Sequence, residues 1–312
     1  MPKVTAKAPS STANLGPGFD VFGLALDAFY DVITLETTDK ESIEIEMKGE
    51  YGKIIPLQTE SNVAGLVAKK MSEDFKIEQG LKITVDKGVP PGFGLGSSAA
   101  SAAATVKAFN AIFNLNLDQN SLVKYAAMGE VASAGTMHYD NVSASLLGNF
   151  VIVRTEPLSI VRIDAPKDLV LCVAIPKIDV PKKKTEVSRS VLPAQVSLEQ
   201  LTSNVANACT VVAGFMLKDV ELIATGINDA IVEPARMHLI PGYEYVKKNA
   251  LNAGALAVTI SGAGPSMIAF VKDGHDTGKI YKAMEEGFRN ANVNSKTVVC
   301  KPSDGAKVIT TN

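Results

Sequence analysis

The strongest constraint on the fold is a glycine-rich segment that stands between a strand-like run and an alanine-rich run. It reads Pro90, Pro91, Gly92, Phe93, Gly94, Leu95, Gly96, Ser97, Ser98, Ala99, Ala100. Glycines lack Cβ, so backbone N–H groups can turn toward an anion that approaches closely. The alanine-rich run that follows has no charge before Lys107 and predicts a helix, whose first N–H groups favour negative charge. The segment predicts a candidate phosphate cradle, in which Ser97 and Ser98 could touch phosphate or magnesium.

A plain turn with a serine N-cap is the alternative for this segment, because glycine motifs often arise by chance. The glycine spacing is not the dinucleotide fingerprint, since the final x-x-G is missing. It is not a Walker loop either, because no Lys-Ser/Thr pair follows the glycines, and the protein-kinase catalytic signature is absent. A phosphate site here would belong to another class of nucleotide-binding protein.

Composition restricts the class of protein. The 312 residues suffice for two ordinary domains or one large one, and 46% hydrophobic with 21% charged residues is typical of globular chains. The net charge of −2 excludes a nucleic-acid binder that relies on net positive charge. No apolar run approaches ~18 residues, so no membrane span is expected, and residues 1–10 do not resemble a secretory signal. Cys172, Cys209 and Cys300 stand in apolar surroundings and predict buried free thiols. These features predict a soluble cytoplasmic enzyme.

Hydrophobic periodicity predicts strands and helices in both halves of the chain. The runs DVITLET, SIEIEMKG and LKITVDK alternate with period two, and SNVAGLVAKKMSEDF has helical spacing with Ser61 as its expected N-cap. The mixture lacks a strict βαβα alternation, which favours an α+β fold over a doubly wound sheet. Residues 154–166 have a loop-like composition, so we expect a domain boundary near residue 155, between domains of residues 1–155 and 156–312.

Two further segments have the composition of turns. Residues 8–20, APSSTANLGPGFD, surround Asn14 and Asp20 with turn-forming residues, and a plain loop is the alternative to a polar ligand site. Residues 259–266, TISGAGPS, form a glycine turn between two predicted strands, for which an ordinary hairpin is the alternative.

Taken together and in this order, the three segments resemble the GHMP kinase superfamily, which includes galactokinase, homoserine kinase and mevalonate kinase. The glycine segment is similar to that family's phosphate-binding motif P-x-x-x-G-L-G-S-S-A-A, and SGAGPS to its C-terminal glycine motif. The resemblance covers essentially the whole chain. It implies a two-lobe α+β fold with a left-handed βαβ crossover in the N-terminal α/β lobe and a ferredoxin-like C-terminal lobe.

Within the superfamily, the chain most resembles the homoserine kinase family. SSTANLGPGFDVFGLAL matches that family's opening segment, and Gly129-Glu130 followed by HYDNV matches its middle segment. Later stretches around Arg189 and Arg236 also match. The chain departs from the family pattern at Phe93, where a small or basic residue is common, at Asn149, which replaces a glycine, and at Ser188, which replaces an alanine.

The resemblance implies phosphorylation of the side-chain hydroxyl of L-homoserine by ATP with Mg²⁺, for threonine synthesis, by a protein that is often a homodimer. ATP would be bound by residues 90–100 and, near the adenine, by Asn62, for which an N-cap role is the alternative. Ser98 and Glu130 would hold the metal. Asn14, Asp20 and His138 would contact the amino-acid end of the substrate, Arg189 and Arg236 its carboxylate, and Asn141 its hydroxyl.

The sequence leaves alternatives open for the substrate and for the role of Asp140. The substrate could be another small alcohol, such as mevalonate or shikimate, or the chain could be a nucleotide-binding regulator without turnover. Asp140 is either a general base, by analogy with mevalonate kinase, or a support for the loop beside Asn141. Lysines 182–184 are expected to form a solvated loop face, and His238 and His275 to be structural.

Overall fold

A computed structural model describes residues 1–134, 137–181 and 184–311. Within these residues the strands are β1 Lys3–Asn14, β2 Gly18–Thr38, β3 Ile43–Lys48, β4 Gly80–Lys87, β5 Phe150–Thr155, β6 Leu158–Ile163, β7 Leu169–Pro176, β8 Ala257–Ile260, β9 Met267–Lys272, β10 Ser295–Cys300 and β11 Lys307–Thr311. The α-helices are α1 Val63–Phe75, α2 Ser97–Ile112, α3 Gln119–Ala134, α4 Asp140–Leu147, α5 Lys184–Ser190, α6 Leu198–Leu217, α7 Val220–Gly226, α8 Val232–Arg236, α9 Tyr243–Asn252 and α10 Thr277–Arg289. Short 3₁₀ turns cover Gly52–Ile54, Thr59–Ser61 and Met237–Leu239.

The first sheet has seven strands. Its main order is β11-β1-β2-β4-β3, and β5 pairs with both β2 and β6. Its pairs are antiparallel except for β3 and β4, which run parallel and are connected through α1. A helical crossover between parallel neighbours is the unit that the family resemblance implies, and its left-handedness stays a prediction. Six of the seven alanines of α2 are fully buried, so this helix packs closely against the sheet and its neighbouring helices.

The second sheet has four antiparallel strands in the order β10-β7-β9-β8. Numbered along the chain, this is the 4-1-3-2 order of a ferredoxin-like lobe, as the family resemblance implies. Helices α9 and α10 bury Val246 and Phe288 against one face of this sheet. On the other face, Phe215 of α6 stacks on Phe150 of β5, with ring centroids 4.0 Å apart. The two sheets therefore share one continuous hydrophobic core.

Four local predictions are wrong. Residues 154–166 are not a loop, because β6 pairs with β5 along its whole length. All of residues 8–14 form the end of β1 rather than a turn. The N-cap of α1 is Asn62 and not Ser61, since the Asn62 Oδ1 atom accepts hydrogen bonds from the N–H groups of residues 64 and 65. Cys209 is exposed, whereas the other two cysteines are buried.

Within residues 1–134, 137–181 and 184–311, every helix is too short or too polar to span the hydrocarbon core of a bilayer.

Candidate functional site

The three motifs meet at one junction between the two sheets. The end of β1 contacts the glycine segment through the Ser11 N–H group, which donates to the Leu95 carbonyl at 3.0 Å. The β8–β9 turn contacts the same segment through Ser261, whose hydroxyl donates to the Gly94 carbonyl at 2.7 Å. The Gly262 N–H group of the β8–β9 turn donates to the Ala13 carbonyl of β1 at 3.2 Å, so each of the three segments contacts the other two. The junction borders a cavity of about 630 Å³.

The glycine segment needs glycine for both conformation and space. Gly92, Gly94 and Gly96 have φ angles of +87°, +75° and +63°, which side chains other than glycine rarely adopt. A Cβ atom on Gly94 would lie 2.1 Å from the Ser261 carbonyl oxygen, and one on Gly96 would lie 2.0 Å from the Ser11 hydroxyl. The loop is therefore fixed by backbone packing and leads directly into the N-terminus of α2.

Most of the residues predicted to bind ATP line the cavity. These are Asn62, Pro91, Gly92, Gly94, Leu95, Gly96, Ser97 and Ser98. The remaining four, Pro90, Phe93, Ala99 and Ala100, are not part of the lining, and the two alanines are fully buried in the core. Because these four side chains do not line the cavity, we do not expect them to contact the nucleotide directly.

A buried ion pair lies beneath the loop, and no motif in the sequence predicts it. The Lys87 ammonium donates to the Asp31 carboxylate, to the Ser97 carbonyl at 2.6 Å and to the Ser101 hydroxyl at 2.9 Å. The Asp31 carboxylate also accepts from the N–H groups of Gly88 and Val89, at 3.1 and 3.0 Å. The two charged side chains are 4% and 0% exposed. This network joins the end of β4, the start of the loop and the first turn of α2.

Ser98 and Glu130 lie together at the N-terminal end of α2, as the sequence predicts. The two side chains share a hydrogen bond, and both line the cavity. Burial, and secondarily the nearby charge of Asp140, raise the pKa of Glu130 to about 7. Burial followed by the charge of Asp20 raises the pKa of Asp140 to about 6.

These groups fit a magnesium ion. A hydroxyl and a carboxylate are hard oxygen donors, and buried carboxylates with raised pKa values are what a divalent cation would stabilise. Within the described ranges no group of three or more His, Cys, Asp or Glu side chains could hold a metal by itself. Mg²⁺ usually takes only one or two protein ligands beside phosphates and water, so Ser98 and Glu130 would be enough to hold it.

On the opposite side of the cavity, predicted acceptor residues form a charged cluster. One Arg189 Nη atom donates to both Asp20 carboxylate oxygens, at 2.8 and 2.9 Å, and lies 3.2 Å from the His138 Nδ1 atom. The Asn14 Oδ1 atom accepts from the Asp20 N–H group at 3.2 Å. Burial, followed by the positive charge of Arg189, lowers the pKa of His138. The structure thus brings Asn14, Asp20, His138 and Arg189 together.

Arg236 joins the same cluster from α8. Its Nε atom donates to the Ser188 carbonyl at 2.9 Å, and burial followed by the charge of Arg189 lowers its pKa to about 10. The guanidinium carbons of Arg189 and Arg236 lie 5.3 and 5.2 Å from the centroid of the Phe19 ring. Phe19 is therefore a cation–π support for both arginines. It was missed as a site residue although it lies within the matching opening segment.

Asn141 lies between the acceptor cluster and the glycine loop. Its Oδ1 atom accepts a hydrogen bond from the Ser11 hydroxyl at 3.0 Å. The Asp140 carboxylate accepts from the Asn141 N–H group at 2.6 Å and lies 3.4 Å from the Asn141 side-chain nitrogen. Asp140 therefore holds Asn141 in place within this arrangement.

Two other predictions are corrected or sharpened. Lys184 is not part of a solvated face: it is half-buried, lines the cavity and donates to the Gly264 carbonyl. Burial and the charge of Arg236 lower its pKa to about 7. Residues 182 and 183 lie outside the described residues. Asn62 both caps α1 and lines the cavity, so its N-cap role is confirmed, while contact with adenine stays a prediction.

Two family domains of known proteins match separate stretches of the chain. The GHMP kinase N-terminal domain matches residues 62–149, and the GHMP kinase C-terminal domain matches residues 211–290. A homoserine kinase of Thermoplasma volcanium is 40% identical over 97% of this chain and 95% of its own length. One from Methanococcus vannielii is 42% identical over 90% of this chain and 93% of its own.

Solved structures agree with the sequence comparison. The crystal structure of a homoserine kinase from Cytophaga hutchinsonii superposes with a TM-score of 0.91 at 38% identity, covering 98% of this chain and 97% of that one. A mevalonate kinase of L. major, at 16% identity and a TM-score of 0.68 over 97% of this chain and 96% of its own, shares the fold alone. The chain therefore belongs to the homoserine kinase family of the GHMP kinases.

Proposed function

We propose that this chain transfers the γ-phosphoryl group of Mg-ATP to the side-chain hydroxyl of L-homoserine. The observation that carries the proposal is one cavity with two chemically different sides. A glycine loop and a helix N-terminus suit phosphate on one side, and an acidic and basic cluster suits an amino acid on the other. Family membership and homoserine kinases at about 40% identity support it.

The acceptor cluster is matched to a zwitterion. Asp20 and Arg189 are paired with each other in this structure, so each already has a partner of opposite charge. A bound amino acid offers an ammonium for Asp20 and a carboxylate for Arg189, with Arg236 beside it. Substrate would therefore replace one ion pair by two, and neither side chain would be left uncompensated.

On the donor side, the N–H groups of the glycine loop and of the first turn of α2 would bind the phosphates. Ser98 and Glu130 would hold the magnesium ion, which supplies stabilisation of the charge that develops on the phosphoryl oxygens. Lys184 lines the same cavity, and a bound phosphate would favour its charged form.

For the chemical step, Asn141 orients the acceptor hydroxyl and Asp140 positions Asn141. The hydroxyl oxygen forms a bond to the γ-phosphorus while the bond between that phosphorus and the β,γ-bridging oxygen breaks, releasing ADP. A loose transition state requires little removal of the hydroxyl proton beforehand, so the proton can leave late to a phosphate oxygen. This assigns positioning rather than base catalysis to Asp140.

The test measures ADP release and the phosphorylated product with L-homoserine, mevalonate and shikimate, each with Mg²⁺ and with a chelator. We expect Mg²⁺-dependent turnover of homoserine, and a large loss in Glu130→Gln. Turnover of mevalonate or shikimate without homoserine would assign the chain to another small-alcohol kinase. ATP binding with no turnover of any acceptor would instead support a regulator.

The wider setting is proposed on the same basis. We place the enzyme in the cytoplasm, in threonine biosynthesis, as a homodimer with no nucleic-acid or membrane partner. We also propose that the lobes divide after Ile163 rather than at residue 155, because β6 belongs to the first sheet. Strand β11 then returns to the first lobe.

A further inference from the structure

Ser11 is fully buried near the end of β1 and joins the glycine loop to the helix that carries Asn141. Its N–H group donates to the Leu95 carbonyl at 3.0 Å. Its hydroxyl donates to the side-chain Oδ1 atom of Asn141 at 3.0 Å and lies 3.3 Å from the Asn141 carbonyl oxygen. One small residue therefore fixes the position of Asn141 relative to the loop that would bind the phosphates.

Gly96 and Ser145 surround this contact on the loop side and on the helix side. A Cβ atom on Gly96 would lie 2.0 Å from the Ser11 hydroxyl and 3.1 Å from the Asn141 Oδ1 atom, so glycine is needed for the loop to pass this close. From α4, the fully buried Ser145 donates its hydroxyl to the Pro9 carbonyl at 2.9 Å and lies 3.3 Å from the Ser11 hydroxyl. Strand β1 and helix α4 are thus joined at two points, one of which is the Asn141 amide.

The contacts of the Asn141 amide determine which of its two ends faces a ligand. An amide oxygen only accepts hydrogen bonds, whereas the amide nitrogen only donates them and has two hydrogens. The oxygen is bonded to Ser11, and the nitrogen lies 3.4 Å from the Asp140 carboxylate, which can accept one hydrogen. Turning the amide around would place its oxygen against that carboxylate. Because Asn141 lines the cavity, the nitrogen is the end that can donate to a ligand there.

We propose that Ser11 is a positioning residue for phosphoryl transfer, because it holds the amide nitrogen of Asn141 toward the acceptor hydroxyl. This inference rests on the proposed function, in which Asn141 orients that hydroxyl. The hydroxyl oxygen accepts a hydrogen bond from the amide through one lone pair and attacks the γ-phosphorus with the other. Its proton passes to an oxygen of the transferred phosphoryl group while the new O–P bond forms and the bond from phosphorus to the β,γ-bridging oxygen breaks.

The opposite orientation of the amide would impair the same step. With the Asn141 oxygen toward the substrate, the acceptor hydroxyl would donate its proton to the amide. That proton would then point away from the phosphoryl oxygens that receive it. Ser11 itself does not line the cavity, so it acts through Asn141 and not by contact with either substrate. Loss of its hydroxyl should therefore slow the transfer and leave substrate binding nearly unchanged.

The first test measures steady-state kinetics of Ser11→Ala. We expect kcat to fall by ~10-fold or more while KM for ATP and for homoserine changes by less than ~3-fold, because a misplaced reacting group slows the chemical step. Ser10→Ala is the matched control, since Ser10 is equally buried on β1 but its hydroxyl donates to the Leu26 carbonyl of β2 at 3.0 Å. Its kcat should change by less than ~2-fold. Urea titrations confirm that both variants are folded under the assay conditions.

A double-mutant cycle tests whether Ser11 acts through Asn141. In the background of Asn141→Ala, Ser11→Ala should cause no further loss of kcat, since the group that it positions is gone. Losses that multiply in the double variant would overturn the inference, and so would a rise in KM at unchanged kcat in Ser11→Ala.

An NMR readout does not depend on turnover. In protein isotopically labelled at asparagine, the side-chain N–H signals of Asn141 are assigned by their disappearance in Asn141→Ala. We expect these signals to shift and to exchange faster with water in Ser11→Ala, and to stay in place in Ser10→Ala, because only the first substitution removes the hydrogen bond to the amide. Signals that do not move in Ser11→Ala would overturn the inference.

Failure of the proposed function is distinguishable from failure of this inference. A parent chain that phosphorylates another alcohol and not homoserine would overturn the proposed function, and Ser11→Ala kinetics on that alcohol would then test the inference. If homoserine is phosphorylated and Ser11→Ala keeps the kcat of the parent, the proposed function stands and Ser11 is not a positioning residue.

Discussion

The two sides of the cavity each contain an ion pair, and the two pairs differ in almost every physical respect. On the donor side, Asp31 and Lys87 are fully buried and bind loop and helix backbone. On the acceptor side, the Asp20 and Arg189 side chains are 43% and 36% exposed and come from positions 169 residues apart. The donor pair is part of the scaffold. The acceptor pair is open to solvent, and in the proposed function the substrate would separate it.

The two ion pairs should respond differently to substitution because their burial differs. A buried pair is costly to break because the remaining charge stays in the interior, whereas an exposed pair contributes little to stability. The donor side should therefore respond to substitution mainly by loss of folding. The acceptor side should respond mainly by loss of substrate affinity.

The largest expected effect is that of Lys87→Met, which leaves the Asp31 carboxylate buried without its cation. We expect the free energy of unfolding to fall by about 3–5 kcal/mol in urea titrations. Arg189→Met is the matched control on the exposed pair and should cost less than about 1 kcal/mol. Equal losses in the two variants would abolish the distinction between scaffold and ligand pair.

The second largest effect is expected for Gly94→Ala, and comparison with Gly274→Ala separates the cost of a positive φ from the cost of a steric clash. Gly94→Ala combines a φ of +75° with a Cβ atom 2.1 Å from a carbonyl oxygen. Gly274→Ala shares the positive φ, at +94°, but its Cβ would meet nothing within 4 Å. We expect Gly274→Ala to cost about 1–2 kcal/mol through strain, and Gly94→Ala to cost clearly more and to weaken ATP binding. Similar stability in both variants would show that the junction with the β8–β9 turn can yield.

On the donor side, the sequence predicts the local elements but not the contacts between distant residues. The glycine segment, α2 and the β8–β9 turn could be predicted because their determinants are local: glycines that need positive φ, and a run of small helix formers. The Asp31–Lys87 pair could not, because it arises from the register of β2 on β4, in which these two residues are direct cross-strand partners. The spacing of residues in the sequence does not predict how β2 and β4 are aligned.

The acceptor residues were predicted by a different route. Asp20, His138 and Arg189 are far apart in sequence, and only the family's motifs linked them. Lys184 was misinterpreted because a lysine-rich run usually indicates solvent, whereas this lysine reaches the β8–β9 turn. Strand β6 was missed because its neighbourhood contains charges and proline, and its identity comes from pairing with β5.

A kinetic prediction tests the acceptor side directly. If Arg189 binds the substrate carboxylate, as proposed, Arg189→Leu removes a charge-assisted contact, so KM for homoserine should rise by ~10–100-fold and KM for ATP should stay nearly constant. Arg236→Leu should raise the same KM but also lower stability, because this guanidinium is buried and donates to the Ser188 carbonyl. Unchanged homoserine kinetics in both variants would mean that the carboxylate is held elsewhere.

The smallest effect is expected for Asp140→Asn. If Asp140 positions Asn141, kcat should fall by less than ~10-fold, whereas loss of a general base typically costs ~10²–10⁴-fold. A loss in that higher range, together with disappearance of the acidic limb of the pH profile, would restore Asp140 as the base.

Stability gives an independent measure of the same carboxyl. Its pKa of about 6 lies above the ordinary value of 3.8, so the folded state binds its proton more tightly than the unfolded state. Raising the pH from about 4 to 6 should therefore remove stability from the parent chain but not from Asp140→Asn. The Tm of the variant minus that of the parent should grow across this window and stay constant above it. A flat difference would show that Asp140 is not held in a charge-disfavouring site.

Strand β11 covers the edge of the first sheet only late in synthesis of the chain. Val4 of β1 pairs with Thr311 of β11, so the edge of the first sheet is covered by residues synthesised about 300 positions later. At ~5–20 residues per second on the ribosome, β1 emerges roughly 15–60 s before the strand that shields it. During that interval an unpaired strand edge is open to other nascent chains. Chaperone demand during synthesis should therefore depend on residues 307–311, none of which lines the cavity.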